Sequence, residues 1–295
     1  MATAVELRNW TQPGAQDAAQ ATYASVKTAL ARSAAVQAYQ PEVFLQGSYA
    51  NHTNTRGDSD VDIVVMMKSA YMPDIGRLTV PEIVRYNAVS SPATTSVEGL
   101  RQAVTDALNS YYGYERVHPR NKCIRVDKQS GYVDADVVPA QQHRLYESFP
   151  AYGEPRFIEG ISIQPLSGRR IVNYPKEHIK NGEAKNRKCS NFYKPTVRQI
   201  KRLRRAAVDA GLVGKKDAPG YLLECLTYNA PTSYFTSDDT QRVIKVLSWL
   251  QSFSASELAA TIKSCDDIHW LFKTDPGDHN EYLAHKTIKT LWDFL

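Results

Sequence analysis

Two acids flank a single valine at the head of an apolar run: Asp60-Val61-Asp62 leads into Ile63-Val64-Val65-Met66-Met67. A continuous, β-branched apolar run of this kind reads as a strand covered on both faces. Alternate strand side chains share a face, so Asp60 and Asp62 point the same way, roughly 6–7 Å apart at their Cα atoms. Two neighbouring carboxylates are costly unless something cationic sits between them. A divalent metal is the economical filler, because it prefers oxygen ligands and can bridge to phosphate oxygens. The fold must therefore deliver this buried strand so that its acids emerge at one edge of a sheet.

Eleven residues separate Gly47-Ser48 from Asp60, and the dipeptide follows the short strand-like run Pro41 to Leu45. A turn at that point leaves backbone N–H groups free for phosphate. The dipeptide carries little by itself; its distance from Asp60 makes it useful. A third acid appears in Tyr132-Val133-Asp134-Ala135-Asp136-Val137-Val138-Pro139, another run of strand formers. Taken singly, Asp134 or Asp136 reads equally well as a solvent-facing strand residue. Taken with Asp60 and Asp62, the set reads as one shared metal site, since metals acting on one phosphoryl group need carboxylates from at least two directions. The residues themselves support metal-dependent nucleotidyl transfer.

This pattern resembles the nucleotidyltransferase superfamily built on the DNA polymerase β-like core. Four stretches are similar to one branch, the bacterial enzymes related to cyclic GMP-AMP synthase and to the Vibrio dinucleotide cyclase. They are Leu45-Gln46-Gly47-Ser48-Tyr49 with Asp58-Ser59-Asp60-Val61-Asp62, Asp136 to Ala140, Asn173 to His178, and Tyr221 to Leu226. The resemblance implies an α+β fold: a mixed sheet with flanking helices (1–172, including a long N-terminal helix) and a helical lobe (173–295), with a cleft between them. It implies that Asp60, Asp62 and Asp136 are the catalytic and metal-binding residues, holding two Mg²⁺ or Mn²⁺ ions, with Asp136 as general base. It assigns Gln46, Gly47 and Ser48 to the triphosphate, Lys201 to its tail with Arg198 and Arg202 as neighbours, and Tyr221 to a base. Relatives often carry Ser before that tyrosine, where this chain has Gly220. Roles for Asp134, Asn173 and His178 are left open; a structural histidine is the simpler reading of His178.

The expected substrates are nucleoside triphosphates, ATP among them, and the expected product is a cyclic di- or oligonucleotide that signals in antiphage defence. The alternative is nucleotidyl transfer to an RNA, a protein or a small molecule. Charge bears on this choice. Net charge is +5, yet Lys176 to Lys216 holds thirteen Lys/Arg against three Asp/Glu, a local +10. Such a segment suits triphosphates, nucleic acid or acidic lipid, or is simply a solvated helix face. Four scattered cysteines without a Cys-x-x-Cys pair argue for reduced thiols in the cytoplasm and against a structural zinc site. No zinc insertion is read, so no obligatory nucleic acid is expected; a regulatory protein partner is compatible, and the chain is expected to be a monomer. The sequence has no run of about twenty apolar residues, the length a membrane span needs, and no signal peptide is read at the N-terminus.

Along the chain, Gln12 to Ala38 predicts a long helix. Ser69 to Ser96 reads as loop-rich with a short helix near Pro81, and Val97 to Tyr111 has helical spacing. Strands are expected at Tyr114 to Val117, Lys122 to Val126 and Tyr132 to Val138. Gln141 to Gly168 shows no period. Thr196 to Ala210 predicts a helix with Val197, Ile200, Leu203 and Ala207 on its apolar stripe and Arg198, Lys201, Arg202 and Arg205 on a basic side. Further helices are expected at 220–228, 238–253, 256–264 and 279–295.

Overall fold

The structure is a computed structural model that describes residues 2–14, 16–55 and 60–295. In chain order the first elements are α1 (Ala4–Asn9), α2 (Asp17–Ala31), α3 (Ala34–Gln37), β1 (Pro41–Gln46), α4 (Gly47–Ala50), β2 (Asp60–Asp74), α5 (Val80–Val89) and α6 (Val97–Tyr112). Then come β3 (Val117–Pro119), β4 (Ile124–Val126), β5 (Asp134–Ser148), β6 (Arg156–Ile163) and β7 (Ile171–Asn173). The remainder is helical: α7 (Pro175–Lys188), α8 (Tyr193–Asp209), α9 (Gly220–Asn229), α10 (Asp239–Gln251), α11 (Ala255–Thr261) and α12 (Glu281–Phe294). Two compact units result, one of Asp17–Gln46 with Ser59–Lys176, the other of Met1–Gln16, Gly47–Asp58 and Glu177–Leu295.

The first unit is a seven-stranded mixed sheet, with β1-β2-β5-β4-β3 in order and β6 and β7 continuing from β5. β2 and β5 run parallel at its centre; β1 pairs antiparallel with β2, and β4 with β5. Every residue from Ile63 to Met67 is fully buried, as a run covered on both faces requires. On one face Val64, Met66, Val138, Ala140, Ile161, Ile163 and Ile171 form an apolar cluster. That face shares its strand parity with Asp62 and Asp136, so the acids stand at the end of an apolar layer.

The second unit is all helical. Its core takes Leu7 from α1, Val197, Ile200, Leu203 and Ala207 from α8, Leu222, Leu223 and Leu226 from α9, and Val243 and Leu247 from α10. The apolar stripe predicted for α8 is thus its buried face. The long N-terminal helix is divided instead. Around Pro13-Gly14 the chain leaves helical geometry, and the Gly14 N–H donates to the Asn54 carbonyl at 3.2 Å. A Cβ on Gly14 would lie 2.6 Å from the Thr55 carbonyl oxygen, so the approach needs glycine. A second break follows Ala31, where Ser33 caps α3.

The sheet is also longer than the sequence suggests. β2 continues to Asp74 through a register shift between Met67 and Tyr71, and β5 and β6 occupy much of the stretch read as aperiodic. Tyr114–Arg116 is a single 3₁₀ turn rather than strand, leading into β3.

Candidate active site

In the sheet unit the acids fall into a lateral row. Gln46 stands opposite Asp62, Asp62 opposite Asp136, and Asp136 opposite Arg125, across β1, β2, β5 and β4. Residues directly opposite one another share a face. Asp60 stands opposite Asp134 two residues further along, on the same side. The parallel register of two strands far apart in sequence therefore collects four carboxylates.

Arg125 lies among them. Its guanidinium is 2.9 Å from Asp134, 3.3 Å from Asp60 and 3.9 Å from Asp136. Burial works against the Arg125 charge, but the carboxylates prevail and raise its pKa. One guanidinium does not neutralise the set. Burial, with Asp136 and Asp60 alongside, pushes the Asp62 carboxyl up to about 7. The Cys123 thiol is pushed up to about 12 by burial and by the neighbouring Asp136. Among the described residues no three His, Cys, Asp or Glu side chains already converge as a metal cage. The donor set nevertheless fits a divalent ion: it is all oxygen, crowded and short of positive charge.

The remaining candidates belong to the helical unit. Gly47 adopts φ 70°, the left-handed conformation that glycine takes without strain, and Ser48 follows in the single turn of α4. The segment after it is drawn inside: Asn51, Thr53, Asn54 and Thr55 are all buried. The Thr53 N–H donates to the Ser48 carbonyl at 2.9 Å. Lys201 Nζ donates to Thr53 Oγ1 at 3.0 Å, to the Thr53 carbonyl at 3.3 Å and to Glu224 Oε2 at 2.8 Å. An ammonium has three donors, and all three are engaged here. Thr53 Oγ1 also donates to Glu224 Oε2 at 2.6 Å, and His178 Nε2 lies 3.0 Å from Glu224 Oε1 and 2.9 Å from the Asn51 carboxamide. Burial alone would raise the Glu224 carboxyl; the Lys201 ammonium and His178 hold it well below the usual carboxylate range.

Lys201 and Arg198 are buried rather than part of a solvated basic face. Arg198 Nε donates to the Thr11 carbonyl at 2.5 Å and Nη1 to the His52 carbonyl, and burial lowers its pKa to about 10. Arg202 is half-buried on the same helix. Tyr221, 36% exposed, donates its hydroxyl to Asp275 Oδ2 at 2.6 Å. Its ring is stacked with His279 at 5.7 Å and tilted against His178 at 5.7 Å. α9 begins with Gly220 behind Pro219 and has no side-chain cap. Asn173 lies in β7, opposite Ile161.

Arg125, Thr53, Glu224 and Asp275 were not singled out from the sequence. For Glu224 a signal existed: it interrupts Leu222-Leu223 and Cys225-Leu226, and an acid within an apolar helix run needs a buried cation.

Residues 180–295 match the cGAS/DncV-like nucleotidyltransferase C-terminal helical domain, and residues 31–90 match the nucleotidyltransferase domain. A cyclic UMP-AMP synthase of Rhodothermus marinus is 38% identical over 289 residues, covering 98% of this chain and 96% of that protein. The chain belongs to the cGAS/DncV-like nucleotidyltransferases. Another member of this family, a cyclic dipyrimidine nucleotide synthase of Legionella pneumophila, is 37% identical over 296 residues, with 98% and 96% covered. The solved structure of the Rhodothermus c-UMP-AMP synthase with Apcpp and Upnpp superposes with a TM-score of 0.84 at 34% identity, covering 99% of this chain and 96% of that one. The fold implied by the resemblance, a mixed sheet with flanking helices and a C-terminal helical domain, is the fold observed.

Proposed function

We propose that this nucleotidyltransferase joins two ribonucleoside triphosphates into a cyclic dinucleotide, releasing two pyrophosphates, and that the product is an antiphage second messenger made in the cytoplasm. The observation that carries the chemistry is the parallel register that sets Asp62 abreast of Asp136 and Asp60 abreast of Asp134. The choice of product rests on the two relatives described above, which are named for cyclic UMP-AMP and cyclic dipyrimidine nucleotides. A pyrimidine triphosphate is accordingly the first substrate to test, alone and with ATP. The enzyme is proposed to act as a monomer whose activating signal, a regulatory protein included, comes from outside the chain.

Asp60, Asp62 and Asp136 would hold two Mg²⁺ or Mn²⁺ ions, which when bound neutralise phosphate charge and lower the pKa of the attacking ribose hydroxyl. Asp136 is the proposed general base for that hydroxyl proton. Gln46, the Gly47 backbone and Ser48 would seat the triphosphate. Lys201 lies beside the uncapped start of α9, where free N–H groups and the helix dipole favour an anion. Arg198 and Arg202 would add positive charge from the same helix. Tyr221 would stack on a base, its ring held by Asp275. Its chemistry is positioning and charge stabilisation. The functional division proposed is 1–172 for the catalytic core and 173–295 for the helical lobe.

The test is incubation of the protein with the four ribonucleoside triphosphates and Mg²⁺ or Mn²⁺, phosphatase treatment and mass spectrometry. A phosphatase-resistant cyclic product supports the proposal and names the bases. Label recovered on an added RNA, protein or small molecule instead of a cyclic product overturns it.

A further inference from the structure

We infer that Glu224 is a positioning residue for the triphosphate, acting through Lys201 and through Thr53 on Ser48; the inference rests on the triphosphate assignment of Lys201 and Ser48 made above. Three donors meet on one buried carboxylate: Lys201 Nζ at 2.8 Å and Thr53 Oγ1 at 2.6 Å on Oε2, and His178 Nε2 at 3.0 Å on Oε1. They come from α8, from the segment after α4, and from α7, while Glu224 itself is on α9. One side chain therefore ties four parts of the helical unit together.

The link to Ser48 is direct. Thr53 gives its hydroxyl proton to Glu224 and its backbone N–H to the Ser48 carbonyl, 2.9 Å away. The link to Lys201 is equally short. Its three N–H donors are directed by the two Thr53 oxygens and Glu224, so a triphosphate oxygen that engages Nζ must replace one of them. Thr53 is the neutral partner and the one with two contacts to give up. Glu224 then holds the ammonium in place while a Thr53 contact is exchanged. Electrostatics favour this division, because the ionised Glu224 is the stronger acceptor.

A neutral isostere cannot do the same work. A carboxamide presents one acceptor and one donor, whereas donors approach both oxygens of Glu224. Glu224→Gln must therefore lose Lys201 and Thr53, or His178. It keeps the size of the buried group.

The experiment compares the full chain with Glu224→Gln, Glu224→Asp and Thr53→Val. Circular dichroism and melting report folding, calorimetry reports triphosphate binding, and steady-state synthesis gives kcat and KM. Glu224→Gln is expected to weaken triphosphate binding and raise KM by about tenfold or more, with kcat less affected, because the lost contact is one of ground-state seating. Glu224→Asp, which keeps the charge, is expected to recover part of the loss. Thr53→Val should move KM in the same direction and by less. A folded Glu224→Gln protein with unchanged binding and KM overturns the inference. Should that variant fail to fold, an unchanged KM in Thr53→Val overturns it equally. A wild-type chain that binds triphosphate without making a cyclic product sinks the synthase reading alone, and the binding comparison still decides on Glu224. Wild-type protein that binds no triphosphate overturns both.

Discussion

Asp62 and Asp136 stand directly opposite one another on adjacent parallel strands, 74 residues apart in sequence. The Asp62 carboxyl is pushed up to about 7, first by burial and then by Asp136 and Asp60. This carboxyl binds its proton more tightly folded than unfolded. Its contribution to stability is therefore fully present below about pH 4 and is lost as pH rises through about 7. In EDTA, Asp62→Asn should melt above wild type at pH 8, with the gap closing toward pH 4. A gap that does not change with pH would remove the crowding argument.

The same carboxylates should be indispensable to catalysis. Asp60→Asn combined with Asp62→Asn is expected to abolish product while leaving circular dichroism intact and melting at or above that of wild type. Chelation of wild-type protein by EDTA should stop turnover, and added Mg²⁺ or Mn²⁺ should restore it. Appreciable synthesis by the double variant, or in excess EDTA, would refute the metal assignment.

Arg125 bonds or approaches Asp60, Asp134 and Asp136, so it partly offsets the charge that a divalent ion would offset. Arg125→Met removes that offset without adding a polar group. Its melting temperature in EDTA at pH 8 should fall below wild type, and the rise on adding Mg²⁺ should be larger than in wild type. Equal metal-induced shifts in the two proteins would mean that Arg125 and the metal do not share the acids.

The readable part of this chain was local. Asp60 to Met67 announced itself because every residue after the acids is apolar, and α8 announced its buried stripe by spacing. What was hidden depended on distant partners. Lys68-Ser69 looked like a strand end, yet β2 resumes beyond a register shift, and its Tyr71 ring packs 3.8 Å from the Arg144 guanidinium, which also covers Phe157. Arg198 and Lys201 lie on what helical spacing alone makes a polar face. Their acceptors, at Thr11, His52, Thr53 and Glu224, come from three other stretches of sequence, and a wheel drawn on α8 has no means of including them. The four carboxylates were legible as a set; the arginine between them was not, because Ile124-Arg125-Val126 reads as an ordinary strand with one side outward.

Lys201 and Glu224 form a buried pair, so single substitutions carry two effects. Lys201→Ala should raise KM for triphosphate, and it also leaves Glu224 buried without its cation. Breaking a buried ion pair from one side costs about 3–5 kcal/mol. Lys201→Met with Glu224→Gln removes both charges and should melt above Lys201→Met alone while still showing the raised KM. A double variant no more stable than the single one would show that the pair is not energetically coupled.

Gly220 offers the most economical gain of function. A Cβ there would lie 3.4 Å from Lys201 Cε and 3.8 Å from Nζ, ordinary contact distances that need no rearrangement. The start of α9 lacks a side-chain cap. Gly220→Ser should therefore be tolerated, and melting should rise or hold. The new hydroxyl would sit beside Lys201 at the helix N-terminus, where it can donate to an anion. KM for triphosphate is expected to fall, with the effect reduced when Lys201 is also replaced. A KM that rises while the protein melts normally would place the triphosphate away from the α9 N-terminus.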